Sequence, residues 1–310
     1  MDRRAFLVTS LAGVLGAPHA AGAQTAGKVP RVGYLGNNRR DNISHLVAAL
    51  EAGLRDLGYV GGKNIILEYR FDDGRPERLP ELAAQLARLK VDVIVATTNA
   101  SIVAAKQATT AIPIVMVLAL DPVGMGFIQS YAKPGGNITG LTFDVSPDTA
   151  GKTVHLLKEL SPRLSRITVF WSPALPGRRP YVESAKEAGR RLGMSVDERE
   201  MRTSAEVDGA LAPGGGQRTG GVFVISAPVI FSRRHDIAEW SVRNGRPLVC
   251  DLREFTEVGG LMSYGASLTE RSRRAAGYVD TILKGARPAD LPIQQQTKFE
   301  LVINRASRES

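Results

Sequence analysis

Several short stretches place polar side chains where an apolar run stops. In VATTNASIVAAK the run ends in Thr97-Thr98-Asn99, and a helical pattern sets in near Ser101. The first backbone N–H groups of a helix lack intrahelical partners and sit at the positive end of its dipole, so this loop suits an anion such as a carboxylate. Thr98 and Asn99 can add side-chain hydrogen bonds, although Asn99 fits helix capping as well as ligand contact. In VLALDPVGMG, Asp121 follows an apolar strand and Pro122 holds the turn. A carboxylate there meets an ammonium group or caps the next short helix. One anion site and one cation site on adjoining strand ends would together satisfy a zwitterionic amino acid. VFVISAPVIF puts Ser226 at another strand end, and PLVCDLREF puts Asp251 in the equivalent place. Tyr34 and Asn37 flank the end of the first strand. Phe143 and Trp171 can stack on a ligand or join the core, and Tyr264 lies where the chain recrosses between lobes.

Catalytic signatures do not emerge. The chain has no G-x-S-x-G, H-E-x-x-H or C-x-x-C. Gly151-Lys152-Thr153 resembles the end of a phosphate loop, but Ser146 stands where the first glycine is required, so helix onset is the better reading. GYLGNN lacks dinucleotide-fingerprint spacing. His45, His155 and His235 fall within helical patterns, where surface exposure is the ordinary expectation. The expectation is a binder, not an enzyme, with no cofactor and no metal.

The elements that must hold these residues alternate. RVGYLG (31–36), NIILEYRF (64–71), VDVIVATT (91–98) and IPIVMVLA (112–119) read as strands, separated by stretches with apolar residues at helical spacing. GNITGLTF (136–143) reads as an extended connection. A second unit follows: a helix in TAGKTVHLLKEL, strands RITVFWS (166–172), 195–201, GGVFVIS (220–226) and PLVCD (247–251), with helices between them. GLMSYG (260–265), an amphipathic helix over about 268–284 and the strand TKFELVIN (297–304) complete the pattern. Such alternation, with continuously apolar strands, predicts two mostly parallel sheets flanked by helices. The expected first lobe is 30–143 plus 266–287, and the second is 144–260 plus 293–304. Crossings near 140–148, 259–268 and 288–297 predict a hinged pair with the binding cleft between the carboxyl ends of the strands. APGGGQRTGG (212–221) reads as a flexible loop.

The first residues read as an address. Arg3 and Arg4 precede the short apolar run Phe6 to Val14, and Ala21-Gly22-Ala23 forms a small-residue cleavage site before Gln24. Residues 1–23 are thus expected to be a signal peptide of twin-arginine or ordinary secretory type, and the protein periplasmic. The whole chain is 310 residues with a formal charge of +9. Its arginine pairs 39/40, 178/179, 190/191, 233/234 and 273/274 are scattered and read as solvated helix faces, with no nucleic-acid reading module. The single cysteine, Cys250, has no partner in the chain and reads as a small buried strand residue.

The blocks RVGYLG, LRDLGYVGGKNIILEYRFDDGRPERLPELAAQLARLKVDVIVA, DPVGMGF, KPGGNITGLT and REFTEVGGLMSYGASLTERSRRAAGYVDTILKGARPADLPIQQQTKFELVIN, in this order, resemble the bacterial ABC-transporter substrate-binding proteins that include tryptophan- and other amino-acid-binding members. The resemblance covers nearly all of the chain after the signal. It implies the type I periplasmic-binding-protein fold, with a small polar ligand (an amino acid or similar) captured between the lobes and delivered to ABC permease subunits by a monomer. It also implies that the family's binding positions fall on Thr98-Asn99-Ala100-Ser101, Asp121, and near Ser226 and Tyr264. GNNRR in the first loop, the glycines of 212–221 and a chain that stops at NRASRES depart from the pattern. A relative's further C-terminal helix would cover apolar surface that is expected to stay open here. The alternative expectation is a ligand-sensing domain for a receptor or regulator. No helix-turn-helix precedes the first strand and no membrane anchor is evident, which disfavours it.

Overall fold

The computed structural model describes residues 28–143, 145–175, 177–212, 220–295 and 298–304. The expected signal at 1–23 and most of the glycine-rich stretch 212–221 lie outside these residues.

The first lobe is built on β1 (Arg31–Gly36), α1 (Ser44–Asp56), β2 (Ile66–Phe71), α2 (Leu79–Arg88), β3 (Val93–Ala96), α3 (Asn99–Ala108), β4 (Ile114–Ala119) and β5 (Ile138–Thr142). Its five strands are parallel in the order β2-β1-β3-β4-β5. The central strands VIVA and IVMVLA are buried almost throughout, as helices on both faces require, while edge strand β2 is only half-buried. The segment read as an extended connection is β5, a full member of this sheet. It has a glycine where β-branched residues are usual: Gly140 takes φ +129°, and a Cβ there would lie 2.2 Å from the Met116 carbonyl oxygen.

The second lobe carries α4 (Asp148–Leu160), β6 (Arg166–Trp171), α5 (Arg179–Arg191), β7 (Ser195–Glu200), α6 (Ser204–Leu211), β8 (Gly221–Val224), α7 (Pro228–Ser232), α8 (Arg234–Arg243), β9 (Leu248–Cys250), α9 (Arg253–Glu257) and β10 (Met262–Gly265), and, after the intervening α10 (Leu268–Leu283), β11 (Glu300–Ile303). Its sheet order is β11-β10-β9-β8-β6-β7, with β11 antiparallel to β10. Leaving β11 aside, the lobes share one topology, in which the first strand of each lobe lies between the second and the third.

The chain passes between lobes after β5, between β10 and α10, and again before β11. Although α10 follows a second-lobe strand, it packs on α1 and the first sheet. Gly53 permits that approach, because a Cβ there would sit 2.4 Å from the Arg273 carbonyl oxygen. Residues 293 and 294 stay with the first lobe. The Ile293 N–H donates to the Tyr131 carbonyl at 2.7 Å, and Gln294 bridges Leu141. The third crossing therefore follows Gln294, inside the span expected for the second lobe. On β11, Leu301 and Ile303 are exposed, and Phe299 just before it stacks on Tyr264 with ring centroids 5.9 Å apart.

Candidate functional site

A cavity of about 110 Å³ lies between the lobes. Its walls come from the carboxyl ends of strands in both sheets: Asn37 after β1, Thr98 after β3, Leu120 after β4, Phe143 after β5, Leu175 and Arg178 after β6, Ser226 after β8 and Leu252 after β9. In each lobe the strand order reverses between the first and third strands. Asn37 and Thr98 flank that point in one lobe, Arg178 and Ser226 in the other. A parallel sheet opens a crevice there because its connections leave to opposite faces.

The first-lobe wall is a hydrogen-bonded frame. Asp72, 1% exposed, accepts from Asn37 Nδ2 at 3.0 Å and from the backbone N–H groups of Asn38 at 2.8 Å and Gly74 at 2.9 Å. Asn37 Oδ1 accepts from the Thr98 hydroxyl. The Thr97 hydroxyl donates to the Leu35 carbonyl at 3.3 Å. Thr98 leads into α3, where its backbone N–H donates to Ser101 Oγ at 2.9 Å and Ser101 Oγ returns to the Thr98 carbonyl at 2.9 Å. Asn99 is the first residue of α3, two residues earlier than expected, and its amide grips the Leu120 backbone: Nδ2 donates to O at 2.9 Å and Oδ1 accepts from N at 2.8 Å. That pair of hydrogen bonds ties the end of β4 to α3.

The second-lobe wall is more apolar and carries a charge. Arg178 is 3% exposed, with its guanidinium 5.5 Å from the Phe143 ring centroid and 5.0 Å from that of Tyr181. The Ser226 N–H donates to Asp251 Oδ1 at 3.0 Å. Burial pushes the Asp251 carboxyl above its ordinary range, against the pull of the Arg178 charge and these hydrogen bonds. Cys250 is buried beside it, and burial likewise holds its thiol protonated.

The lobes also touch outside the cavity. His45 Nε2 on α1 lies 3.3 Å from Glu254 Oε1 on α9. Arg234 Nη2 on α8 donates to the Asn42 carbonyl at 3.2 Å. Glu254 is 3% exposed and Arg234 7%. Among the described residues no group of three or more His, Cys, Asp or Glu could hold a metal ion.

A family model described as ABC transporter substrate binding protein matches residues 39–310. The chain belongs to that family. Among its relatives, a protein named tyrosine-binding protein from Clostridioides difficile is 27% identical over 254 residues, 81% of this chain and 72% of the relative. A crystal structure of a conserved domain protein from Vibrio cholerae superposes with a TM-score of 0.80 at 26% identity, covering 91% of this chain and 94% of that one. The structure of an ABC domain in complex with L-Trp from Streptococcus pneumonia also gives 0.80, at 22% identity over 90% and 93% of the two chains, a likeness of fold. The fold is the two-lobe α/β arrangement that the strand pattern predicts.

Of the residues read from this binding protein's sequence, Asn37, Thr98, Asn99, Phe143 and Ser226 line the cavity. Ala100 is exposed on α3, and Ser101 is buried in the helix start. Tyr264 stands on β10 against Phe299. Asp121 lies outside the lining: it is exposed, takes φ +45°, and its Oδ1 accepts from the Gly124 N–H at 3.0 Å. That bond closes the turn after β4, and no helix follows for Asp121 to cap. Trp171 is core, 3% exposed. Arg178 is the lining residue that pattern reading passed over. Grouped with Arg179 as a solvated pair, it is instead buried, as Arg234 is in the pair 233/234. The signal was its place in the loop after β6, where the strand-end rule applies as it does at Thr98.

Proposed function

We propose that this substrate-binding protein is exported under the signal at 1–23, captures a small organic solute (an amino acid or a related acid) between its lobes, and hands it to ABC permease subunits as a monomer. One observation carries the reading: both sheets bring their strand ends to a single apolar-walled cavity at matching switch points. Its volume is on the order of the ~150 Å³ cavity known to accept a benzene ring. The tyrosine- and tryptophan-binding relatives support a ligand of amino-acid size. Closure follows from differential affinity, since a solute touching both walls stabilises the closed form alone.

The test is a thermal-shift screen of the common L-amino acids, their deaminated acids, nucleosides and small sugars, followed by calorimetry and product analysis. A true ligand at one hundred times its Kd adds about 2.7 kcal/mol, a rise on the order of 5 °C for a chain of this size. Stabilisation with the solute recovered unchanged supports the proposal. Chemical conversion of the solute, or no shift with any class, overturns it.

A further inference from the structure

We propose that Arg178 anchors a ligand carboxylate, and that the cleft selects a monocarboxylate with an apolar body. This deepens the cleft reading and rests on it. Arg178 is 3% exposed, yet its Nε and Nη1 have no hydrogen-bond partner among the described residues. Its two ring neighbours, Phe143 and Tyr181, attract the cation through their faces but accept none of its N–H bonds. An arginine cannot shed its proton to escape burial, so its donors require an acceptor. The planar fork matches a carboxylate's two oxygens.

The surroundings provide no substitute. Asn37, Thr97 and Asn99 spend their side chains on Asp72, Thr98, Leu35 and Leu120. Asp251 Oδ1 accepts from the Ser226 N–H and the Cys250 thiol, and it acts on Arg178 through its charge without filling the guanidinium's donors. Among the described lining residues Arg178 has the one full charge, and no carboxylate stands ready for an ammonium group. Arg178 presents its charge and its unpartnered donors to the cavity while Asp251 lies outside the lining, so an anion is the solute that satisfies them. A cationic solute adds a second uncompensated charge, so the head group that counts is the carboxylate. The remaining wall, including Leu46, Leu118, Leu120, Phe231 and Leu252, takes an aliphatic or aromatic body.

Calorimetry of the whole chain with matched probes tests this: phenylpropanoate, L-phenylalanine and phenethylamine, and then isocaproate, L-leucine and isoamylamine. Each set shares one apolar body. The acids are expected to bind, and the amines to bind at least about 30-fold more weakly. Loss of the amine is expected to cost less than loss of the carboxylate. Arg178→Gln is expected to lose at least about 30-fold on the acids with an unchanged circular-dichroism spectrum. Amines that bind as tightly as acids, or an Arg178→Gln protein within threefold of wild type on the acids, would overturn the assignment. If Arg178→Gln does not fold, the acid–amine comparison on the unaltered protein decides. Tight binding of a sugar or nucleoside with no acid bound refutes the Arg178 assignment and leaves the cleft reading intact. No binding by any solute class removes both.

Discussion

The contact between His45 and Glu254 makes a sharp prediction about closure. The two residues sit on opposite lobes, 209 positions apart in sequence, with Nε2 and Oε1 at 3.3 Å. The Glu254 side chain is 3% exposed and that of His45 36%. Glu254 Oε2 has no hydrogen-bond partner among the described residues; His45 contacts the other oxygen from the opposite lobe, and the charge of Arg234 acts on the carboxylate from within its own lobe. When the lobes part, water solvates both groups. His45→Ala therefore penalises the closed form selectively. A hydrogen bond to a charged group is worth about 1.5–3 kcal/mol when buried and well under 1 when exposed, so this half-exposed pair is worth roughly 1 kcal/mol. If closure is required for tight binding, that converts to about fivefold weaker affinity. Glu254→Ala removes the same bond, the cost of burying the carboxylate and its charge near Arg234, so its single effect mixes three contributions. Calorimetry of the two single variants and the double variant, with the tightest solute from the screen, isolates the coupling at about 1 kcal/mol. Small-angle scattering with and without solute reports closure independently. A change below twofold for His45→Ala, or no coupling between the two single variants, refutes the reasoning.

Three further outcomes follow from the same geometry. Gly140→Ala forces a Cβ to within 2.2 Å of the Met116 carbonyl at φ +129°, and chemical denaturation should show a loss of at least about 3 kcal/mol. Asp72→Ala strips the acceptor from three N–H donors of the first-lobe frame, so stability should fall by about 2–3 kcal/mol and solute affinity with it, as measured by calorimetry, because Asn37 loses its anchor. Asp92 is partly desolvated, which alone would raise its pKa, but the Arg31 N–H at 2.7 Å and Lys28 at 2.9 Å prevail and hold it below its ordinary value. Its contribution is therefore present above the ordinary carboxylate range and lost as pH falls through the lowered value, so the stability gap between wild type and Asp92→Asn, about 1 kcal/mol at neutral pH, should close in acid titrations.

The strands that were legible in the sequence are those buried on both faces. VIVA and IVMVLA have one reading, because an apolar run of that length bounded by turn residues fits a covered parallel sheet. The α10 stripe was legible for the same kind of reason, with Ala275, Ala276 and Val279 buried at helical spacing. Strand β5 was not, since Gly140 interrupts its β-branched residues Ile138, Thr139 and Thr142 and its place is decided by pairing with β4. The site divided likewise. Thr98 and Ser226 follow from the strand-end rule, whereas the role of Asn99 depends on the Leu120 backbone 21 residues away. Asp121 turned on a local φ of +45° that no spacing reveals. Contacts across the cleft, such as Arg234 to Asn42 over 192 residues, exist only once both lobes are built.

Arg178 also links recognition to motion. Closing the lobes without an anion leaves two buried guanidinium donors unsatisfied, at a cost of several kcal/mol in a low-dielectric setting. In favour of closure stand a half-exposed His45–Glu254 contact and one hydrogen bond from Arg234, each worth about 1 kcal/mol, and an apolar cluster that runs through both lobes. A carboxylate on Arg178 removes that penalty and so shifts the equilibrium towards the closed form that these contacts favour. The same side chain would then select the solute and set the sign of the opening equilibrium. A substitution that removes the charge without adding bulk, Arg178→Met, should accordingly uncouple the two. Scattering should show the solute-free variant more closed than the solute-free wild type, while its affinity for acids is lost. A variant that stays as open as wild type would show that the guanidinium does not govern closure.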